Sequence, residues 1–544
     1  MQPAVAVRAW APLRRRTFRD LYFAQFATIT GGWAQTVGAQ WLMGDLGVGP
    51  LFVALVQTAN TLPIFALVVP AGALGDIVDR RRLLIAGQSV MCAAAAALTL
   101  LTAARLVNPP LLLLLIALIG VGGALSITTF QAVTPELVSP EEIPQAAYLG
   151  GANANLAAAV GPALGGALIA TIGPVSTFAF NTLSFLGVLL VLYRWKRPPD
   201  HRPLGAEHIV GAVRAGVRYT RHAPRFATVL ARLALFVLFA SALWALLPAL
   251  ARGPLRLSAG GYGLLLACLG LGAAAGAFIV PRIRARVGTN AVVTGATLTF
   301  AAMMAVIGLS RSPLPAVVAL VVSGAAWIGV LSTLNGTAQV LLPAWTRARA
   351  LAYYQVAFMG GQALGAFGWG TVADLAGVRT AFVVPAAGLV VAAAVSMRAL
   401  HLPEPRLDVS TIAHWPEPPA LDVDSRAGPV LVTLEWPVPP ENADAFVKVM
   451  RQVSRSRKRT GGTNWGLFRD AEDPTLFLET FTVATWHEHL RQHLERGTVW
   501  ERNLEAEARS LLIDGAEPRI RHLIWAEALK HKPELRPVRP TAAD

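Results

Sequence analysis

The 544-residue chain is 54% hydrophobic and 15% charged, against about 25% charged in an average soluble domain, and its mean hydropathy is +0.51. That balance excludes an ordinary soluble protein and points to repeated crossings of a lipid bilayer. The formal charge of +15 does not indicate nucleic acid: residues 1–402 carry 28 Lys/Arg against 10 Asp/Glu, whereas residues 403–544 hold 19 against 22. Both cysteines, Cys92 and Cys268, fall in apolar runs, so no disulfide framework is expected.

Twelve apolar runs follow in chain order, at about 19–42, 51–74, 83–103, 109–135, 143–172, 174–194, 226–250, 258–281, 289–309, 313–342, 350–375 and 380–398. The first follows Arg14, Arg15 and Arg16. It is too long for a secretory signal and carries Trp33 and Trp41, so it reads as an uncleaved span. With the N-terminus inside, the inner loops 1–19, 75–82, 136–144, 194–225, 281–288 and 343–350 contain 21 Lys/Arg, against 5 in the outer loops. This positive-inside pattern places both termini in the cytoplasm. The loop 195–225 divides the spans into an N-terminal half, 1–194, and a C-terminal half, 226–402. Its middle, HIVGAVRAGVRY, reads as a basic amphipathic helix on the membrane surface. Two six-span halves suit a transporter in which a substrate path runs between rocking halves.

Residues 403–428 are polar and proline-rich and read as a linker. Beyond it, PVLVTLEWPV reads as a strand, NADAFVKVMRQVSRSRK as a helix, and TNWGLFRD and TLFLETFTV as two strands. TWHEHLRQHLERGTVWERNLEAEARSLL reads as one long helix and PRIRHLIWAE as a last strand. The order β-α-β-β-α-β predicts a cytoplasmic ferredoxin-like domain over 429–527, followed by a tail, 528–544. The fold class expected is therefore an all-α polytopic membrane protein plus an α+β domain. Val430, Val432, Leu434 and Trp436 alternate along the first strand and give the sheet one apolar face. An uncovered second face makes self-association through this domain an expectation.

Two stretches carry further information. GALGDIVDRRRLL, residues 72–84, joins spans 2 and 3, where a carboxylate suits a helix N-terminus and an arginine block marks the inner surface. A copy after span 8, GAFIVPRIRARVG at 276–288, lacks the acid. In span 5, VGPALGGAL brings together Gly161, Pro162, Gly165 and Gly166. Small residues let helices touch, and proline bends them; ordinary helix packing is the alternative reading.

The first stretch resembles the loop signature of the major facilitator superfamily, Gly-x-Leu-Ala-Asp-Arg-x-Gly-Arg-Arg. Gly72, Leu74, Asp76, Arg80 and Arg81 match, while Ile77 and Asp79 depart. The second resembles the Gly-Pro-x-x-Gly-Gly core of the exporting branch of that superfamily, with Ala157 and Tyr148 where the fuller motif has glycines. Residues 17–43 and 55–84 look like the transmembrane secretion effector group, relatives of enterobactin-type siderophore exporters. WGLFRDAEDPTLFLETFTVATWHEHLRQH resembles the cytoplasmic domain fused to many members, whose fold is similar to that of cofactor-independent antibiotic-biosynthesis monooxygenases. The resemblance implies a major facilitator fold in a bacterial inner membrane. It implies secondary active export of a siderophore, drug or secondary metabolite, with the proton as coupling ion. It also implies that Asp76 meets a span of the other half and holds a cytoplasmic gate closed with Gly72, Arg80 and Arg81. Glu136 reads either as a partner of the arginines or as a plain loop acid. A membrane-anchored enzyme or a sensor, with the activity in the C-terminal domain, is the competing reading.

No acid falls in mid-span. Asp20, Asp45, Glu136 and Asp374 lie at span ends, Arg105 lies outside span 3, and Arg232, two turns into span 7, is expected to snorkel to the surface. Gln35, Gln57, Asn60, Asn153, Asn155, Asn335, Gln355 and Gln362, among Trp33, Trp41, Trp244, Trp327 and Trp369, are the candidates for a path that takes a large amphiphilic molecule. Hydrogen bonding between helices is the alternative for each. His489 and His493 share a helix face as a metal pair would, but no third ligand stands at a recognisable spacing, so neither metal nor cofactor is expected. No nucleophile constellation argues for an enzyme, and no P-loop for ATP-driven transport.

Overall fold

The computed structural model describes residues 10–74, 78–196, 221–402, 427–494 and 496–528. Asp76, the basic surface helix and nearly all of the linker lie outside them. The chain falls into two compact units, a helical body within residues 1–403 and a second unit built mainly from residues 404–544.

Among the described residues the body contains twelve long helices. Six form the N-terminal half: α1 (Arg16–Asp45), α2 (Pro50–Leu74), α3 (Arg80–Ala103), α4 (Pro109–Val133), α5 (Ile143–Thr171) and α6 (Pro174–Arg194). Six form the C-terminal half: α7 (Pro224–Arg252), α8 (Ala259–Val287), α9 (Thr289–Leu309), α10 (Pro313–Leu341), α11 (Ala344–Ala376) and α12 (Thr380–Ala399). Ten are long and apolar enough to cross a membrane; α1 and α11 are the two that fall short. Both are of full length but dilute their apolar character with glutamines and glycines, Gln25, Gln35 and Gln40 in α1 and Gln355 and Gln362 in α11.

Helix starts follow local chemistry. Asp79 caps α3 by accepting from the Arg82 amide at 2.9 Å, and Asn108 caps α4 by accepting from the Leu111 amide at 3.0 Å. Gly173, at φ 104°, makes the sharp reversal into Pro174 at the first position of α6. Prolines fall inside α2, α5, α7, α8 and α12, and the carbonyl that Pro248 frees in α7, that of Trp244, accepts from Gln40 of α1 at 3.2 Å.

Close helix contacts fall where side chains are small. A Cβ on Gly31 or Gly38 of α1 would run into Asn181 or Thr177 of α6, and one on Gly120 of α4 would meet the Asn60 carbonyl of α2 at 2.5 Å. Between these contacts Met43, Leu98, Ile116, Phe178 and Phe185 fill the core of the N-terminal half.

The second unit contains β1 (Val430–Pro437), α13 (Ala443–Thr460), β2 (Thr463–Arg469), β3 (Leu476–Val483), α14 (Trp486–Leu494), α15 (Val499–Arg509) and β4 (Arg519–Ile524). The sheet order is β2-β3-β1-β4, all antiparallel, which is the ferredoxin-like arrangement. Val430, Val432, Leu434 and Trp436 turn inward onto Phe446, Met450 and Phe481. The other face leaves Leu431, Phe468 and Leu523 exposed. One expectation is corrected here: the single long helix is two. Gly497 breaks it, and Thr498 restarts it as the N-cap of a capping box with Glu501.

Candidate functional site

The helical body offers three groups of functional side chains: one beside the basic loops, one between the halves, and one at the opposite end. Beside the basic loops, Arg80 at the first turn of α3 donates to the Ala132 carbonyl at 2.9 Å and to Glu136 at 2.7 Å. Glu136 sits in a 3-10 turn, Thr134–Leu137, directly after α4. Arg81 donates to the last carbonyls of α6, Leu192 and Tyr193, at 2.8 and 2.9 Å, where the helix dipole favours a cation. A further pair, Arg15 to Glu142 at 2.6 Å, ties the start of α1 to the start of α5. Gly72 faces Thr128 at an ordinary contact distance, 3.8 Å for an added Cβ.

Between the halves runs a chain of aromatic rings. Trp33 of α1 lies 5.3 Å from Trp244 of α7, Trp244 lies 5.5 Å from Trp327 of α10, and Trp327 lies 6.3 Å from Phe358 of α11. The Trp244 indole N–H is buried without a hydrogen-bond partner among the described residues. Gln57 of α2 donates to Gln362 of α11 at 2.6 Å, and Thr58 donates to the Ala363 carbonyl at 3.2 Å. Trp369, by contrast, spends its N–H on the Leu238 carbonyl.

At the opposite end the halves are latched. Gln40 donates to the Trp244 carbonyl at 3.2 Å and accepts from the Tyr262 hydroxyl at 2.8 Å. Arg252, at the end of α7, pairs with Asp45 at 2.8 Å, donates to the Trp41 carbonyl at 3.0 Å and lies 4.2 Å over the Trp41 ring. Asp374 stands against Gly49, its carboxylate close to where a Cβ would be.

The span-5 motif joins these groups. A Cβ on Gly161 would meet Trp33 at 2.6 Å, and one on Gly165 would meet Ala34 at 2.8 Å, both on α1. One on Gly166 would meet the Cα of Gly263 on α8 at 2.5 Å, so backbone lies against backbone across the two halves. Pro162 is inside α5, and its carbonyl faces Gly263.

The other path candidates are scattered. Gln35 accepts from Asn181 of α6 at 2.8 Å, and Asn153 donates to the Tyr22 carbonyl at 3.0 Å, so both hold helices of one half together. Asn60 and Gln355 are half-buried, and Asn335 lies beside Tyr354. The side chain of Asn155, like Asp76, is outside the described residues. Arg232 does not snorkel. It is 3% exposed inside the C-terminal half and donates to the Ser396 carbonyl at 2.8 Å, because α9, α10 and α12 close around it.

The match to known proteins covers the whole of this arrangement. The sequence model described as "Transmembrane secretion effector" matches residues 7–530. The chain belongs to the transmembrane secretion effector family. It is similar to the enterobactin exporter EntS of Citrobacter koseri, 26% identical over 322 residues covering 58% of this chain and 75% of the relative. The enterobactin exporter EntS of Escherichia coli O1:K1 is 27% identical over the same shares. Among solved structures, a bacterial homologue of the iron transporter ferroportin in an inward-facing state superposes with a TM-score of 0.57 at 16% identity, covering 70% of this chain and 98% of that one. An auto-inhibited POT family peptide transporter reaches 0.59 at 12% identity, covering 73% and 99%. These show the major facilitator fold, and the chain is a multi-pass membrane transporter of that superfamily.

In the C-terminal unit, Glu479 of β3 is fully buried and accepts from Arg457 at 3.1 Å, Trp465 at 2.9 Å and Trp436 at 3.3 Å. Arg457 also pairs with Glu505 at 2.6 Å. An open groove beside this network is lined by Asp444, Val447, Arg451, Trp465 and Phe477. His489 and His493 share a buried face of α14 as their spacing requires, and a histidine far away in the sequence stands beside them. His522 of β4 comes within reach of both. Its signal in the sequence, a histidine on the inward register of the last strand, is legible only once the strand order is known.

Proposed function

We propose that this transporter exports a small amphiphilic molecule, a siderophore, drug or secondary metabolite, by alternating access across a bacterial inner membrane, with both termini cytoplasmic and the proton as coupling ion. The observation that carries this reading is the aromatic chain from Trp33 through Trp244 and Trp327 to Phe358, which passes from one half to the other and leaves one indole N–H without a partner. Ring faces take up planar apolar surface, and an unpaired buried donor favours a ligand with an acceptor. The enterobactin exporters among the relatives support export as the direction. With the basic loops inside, the latch at Asp45 and Arg252 lies at the outer end in this reading. Gly72, Asp76, Arg80, Arg81 and Glu136 form the inner gate in this reading. The exposed sheet face with Leu431, Phe468 and Leu523 supports self-association of the C-terminal domain.

The test is export from cells lacking their own efflux pumps. Cells expressing the chain are loaded with a panel of catecholate siderophores and amphiphilic dyes, and release is followed with and without a protonophore. Release of at least one compound, lost on adding the protonophore and in Trp244→Ala, is the expected result. Release unaffected by the protonophore would remove proton coupling, and release unaffected by Trp244→Ala would remove the aromatic path. A second reading, a ligand-binding C-terminal domain, is favoured by the groove at Trp465 and Arg451. It requires that Arg451→Ala alter ligand binding to the whole chain.

A further inference from the structure

Three histidines meet inside the C-terminal unit. His489 and His493 are one helical turn apart on α14, so their rings leave the same face, and both are buried. Their Nε2 atoms lie 3.0 Å from each other. β4 alternates, with Ile520, His522 and Ile524 on the face that meets the helices. That register sets the His522 ring 4.7 Å from the His489 ring and 6.2 Å from that of His493. One nitrogen of each residue lies within 4.8 Å of the other two. Zinc–imidazole bonds of about 2.0–2.1 Å in a tetrahedron need nitrogens roughly 3.3–3.5 Å apart, so binding would require the close His489–His493 pair to open slightly and the longer separations, up to 4.8 Å, to close.

The surroundings favour a cation there. The Nε2 of His522 and the Nδ1 of His489 are buried with no hydrogen-bond partner among the described residues. An orphaned polar atom in a native core calls for a reason. Burial, reinforced by the neighbouring rings, lowers the His489 pKa to about 3 and the His493 pKa to about 2. A neutral imidazole keeps a lone pair to donate to a metal. Arg457 is the nearby cation, and it is more than balanced by Glu479 and Glu505, both in contact with it. Trp486 lies 5.4 Å from His489 and 5.9 Å from His522 and walls off one side.

We propose that His489, His493 and His522 bind one divalent transition-metal ion, zinc foremost. The donor set is imidazole alone, which suits zinc, copper, nickel or iron and disfavours magnesium and calcium. Three protein ligands leave a fourth position for water or for an exogenous donor. This inference is independent of what the helical body carries.

The test uses the full-length chain in detergent, without a polyhistidine tag, stripped with a chelator and returned to zinc. After gel filtration, elemental analysis is expected to find one zinc per chain in the wild type and loss of that zinc in His522→Ala. X-ray absorption at the zinc edge of the wild-type protein needs no variant to fold. A shell of imidazole nitrogens near 2.0 Å supports the site. Failure to retain stoichiometric zinc, or a first shell of oxygen donors, overturns it and leaves the histidines as a packed core. Zinc retained in full by a folded His522→Ala overturns the three-histidine site as well.

Discussion

The two ends of the helical body hold their helices by different means. Beside the basic loops the described contacts tie helices of one half to each other: Arg80 to Glu136, Arg81 to the end of α6, and Arg15 to Glu142. At the opposite end they tie one half to the other: Arg252 to Asp45, Gln40 to Tyr262, and Gly166 against Gly263. A transporter with two halves needs both kinds. Contacts within a half make it a rigid body, and contacts across the halves decide which side is shut. The difference also shows in chemistry. The contacts within the half lean on arginine and carbonyls, whereas the cross-half latch mixes one ion pair with an aromatic face and bare backbone.

Four variants break or sharpen that contrast. Gly166→Leu is expected to have the largest effect: transport is lost because a side chain cannot enter where the Gly263 backbone already lies. The check is dye or siderophore release at matched membrane expression, and wild-type release would show that the close approach is dispensable. Glu136→Gln is expected next, with release falling about tenfold, equivalent to roughly 1.4 kcal/mol on a conformational equilibrium. The arginine it meets is mostly buried and would lose one of its charge-compensating contacts while keeping others, among them the Ala132 carbonyl. The exchange Arg80→Glu with Glu136→Arg should recover part of the loss, and a double variant no better than either single one refutes pairing as the cause. Asp45→Asn should cost less. Its pair with Arg252 is substantially exposed, exposed pairs contribute about 0.2–1 kcal/mol, and Arg252 keeps its stack on Trp41. A fall of about fivefold or less is expected, and complete loss would mean that Asp45 does more than pair with Arg252. Smallest of all is Arg282→Ala, in the acid-free copy of the loop between α2 and α3. Arg282 is exposed and donates to the Phe278 carbonyl four residues earlier, so release and melting temperature should stay within about 0.5 kcal/mol of wild type.

Much of this was legible from the sequence, for physical reasons that differ by region. Bilayer thickness sets a minimum length for every span, so the twelve runs coincide with α1 to α12 to within six residues at either end. Strand alternation at Val430, Val432, Leu434 and Trp436 identified the inward face of β1 without help from the structure. Contacts between distant elements were another matter. Asp45 and Arg252 are both charged residues at span ends, but nothing in their spacing says that they meet. Arg232 looked like a snorkelling side chain because a sequence shows depth along a helix and not which neighbours surround it. The break at Gly497 was readable from Thr498 and Glu501 and was hidden by the apolar periodicity that continues across it. His522 could join His489 and His493 only through the order β2-β3-β1-β4, which a local pattern does not contain.

The adjacent, tilted rings of Trp33 and Trp244 give the molecule an optical property of its own. Indoles 5.3 Å apart exchange excitation and quench each other, and these two belong to helices that separate if the halves rock. Their emission therefore reports the conformational cycle without any attached dye. Comparing the wild type with Trp33→Phe isolates that signal from the rest of the 14 tryptophans. A substrate seated on the same rings would register as a change in brightness at the moment it binds.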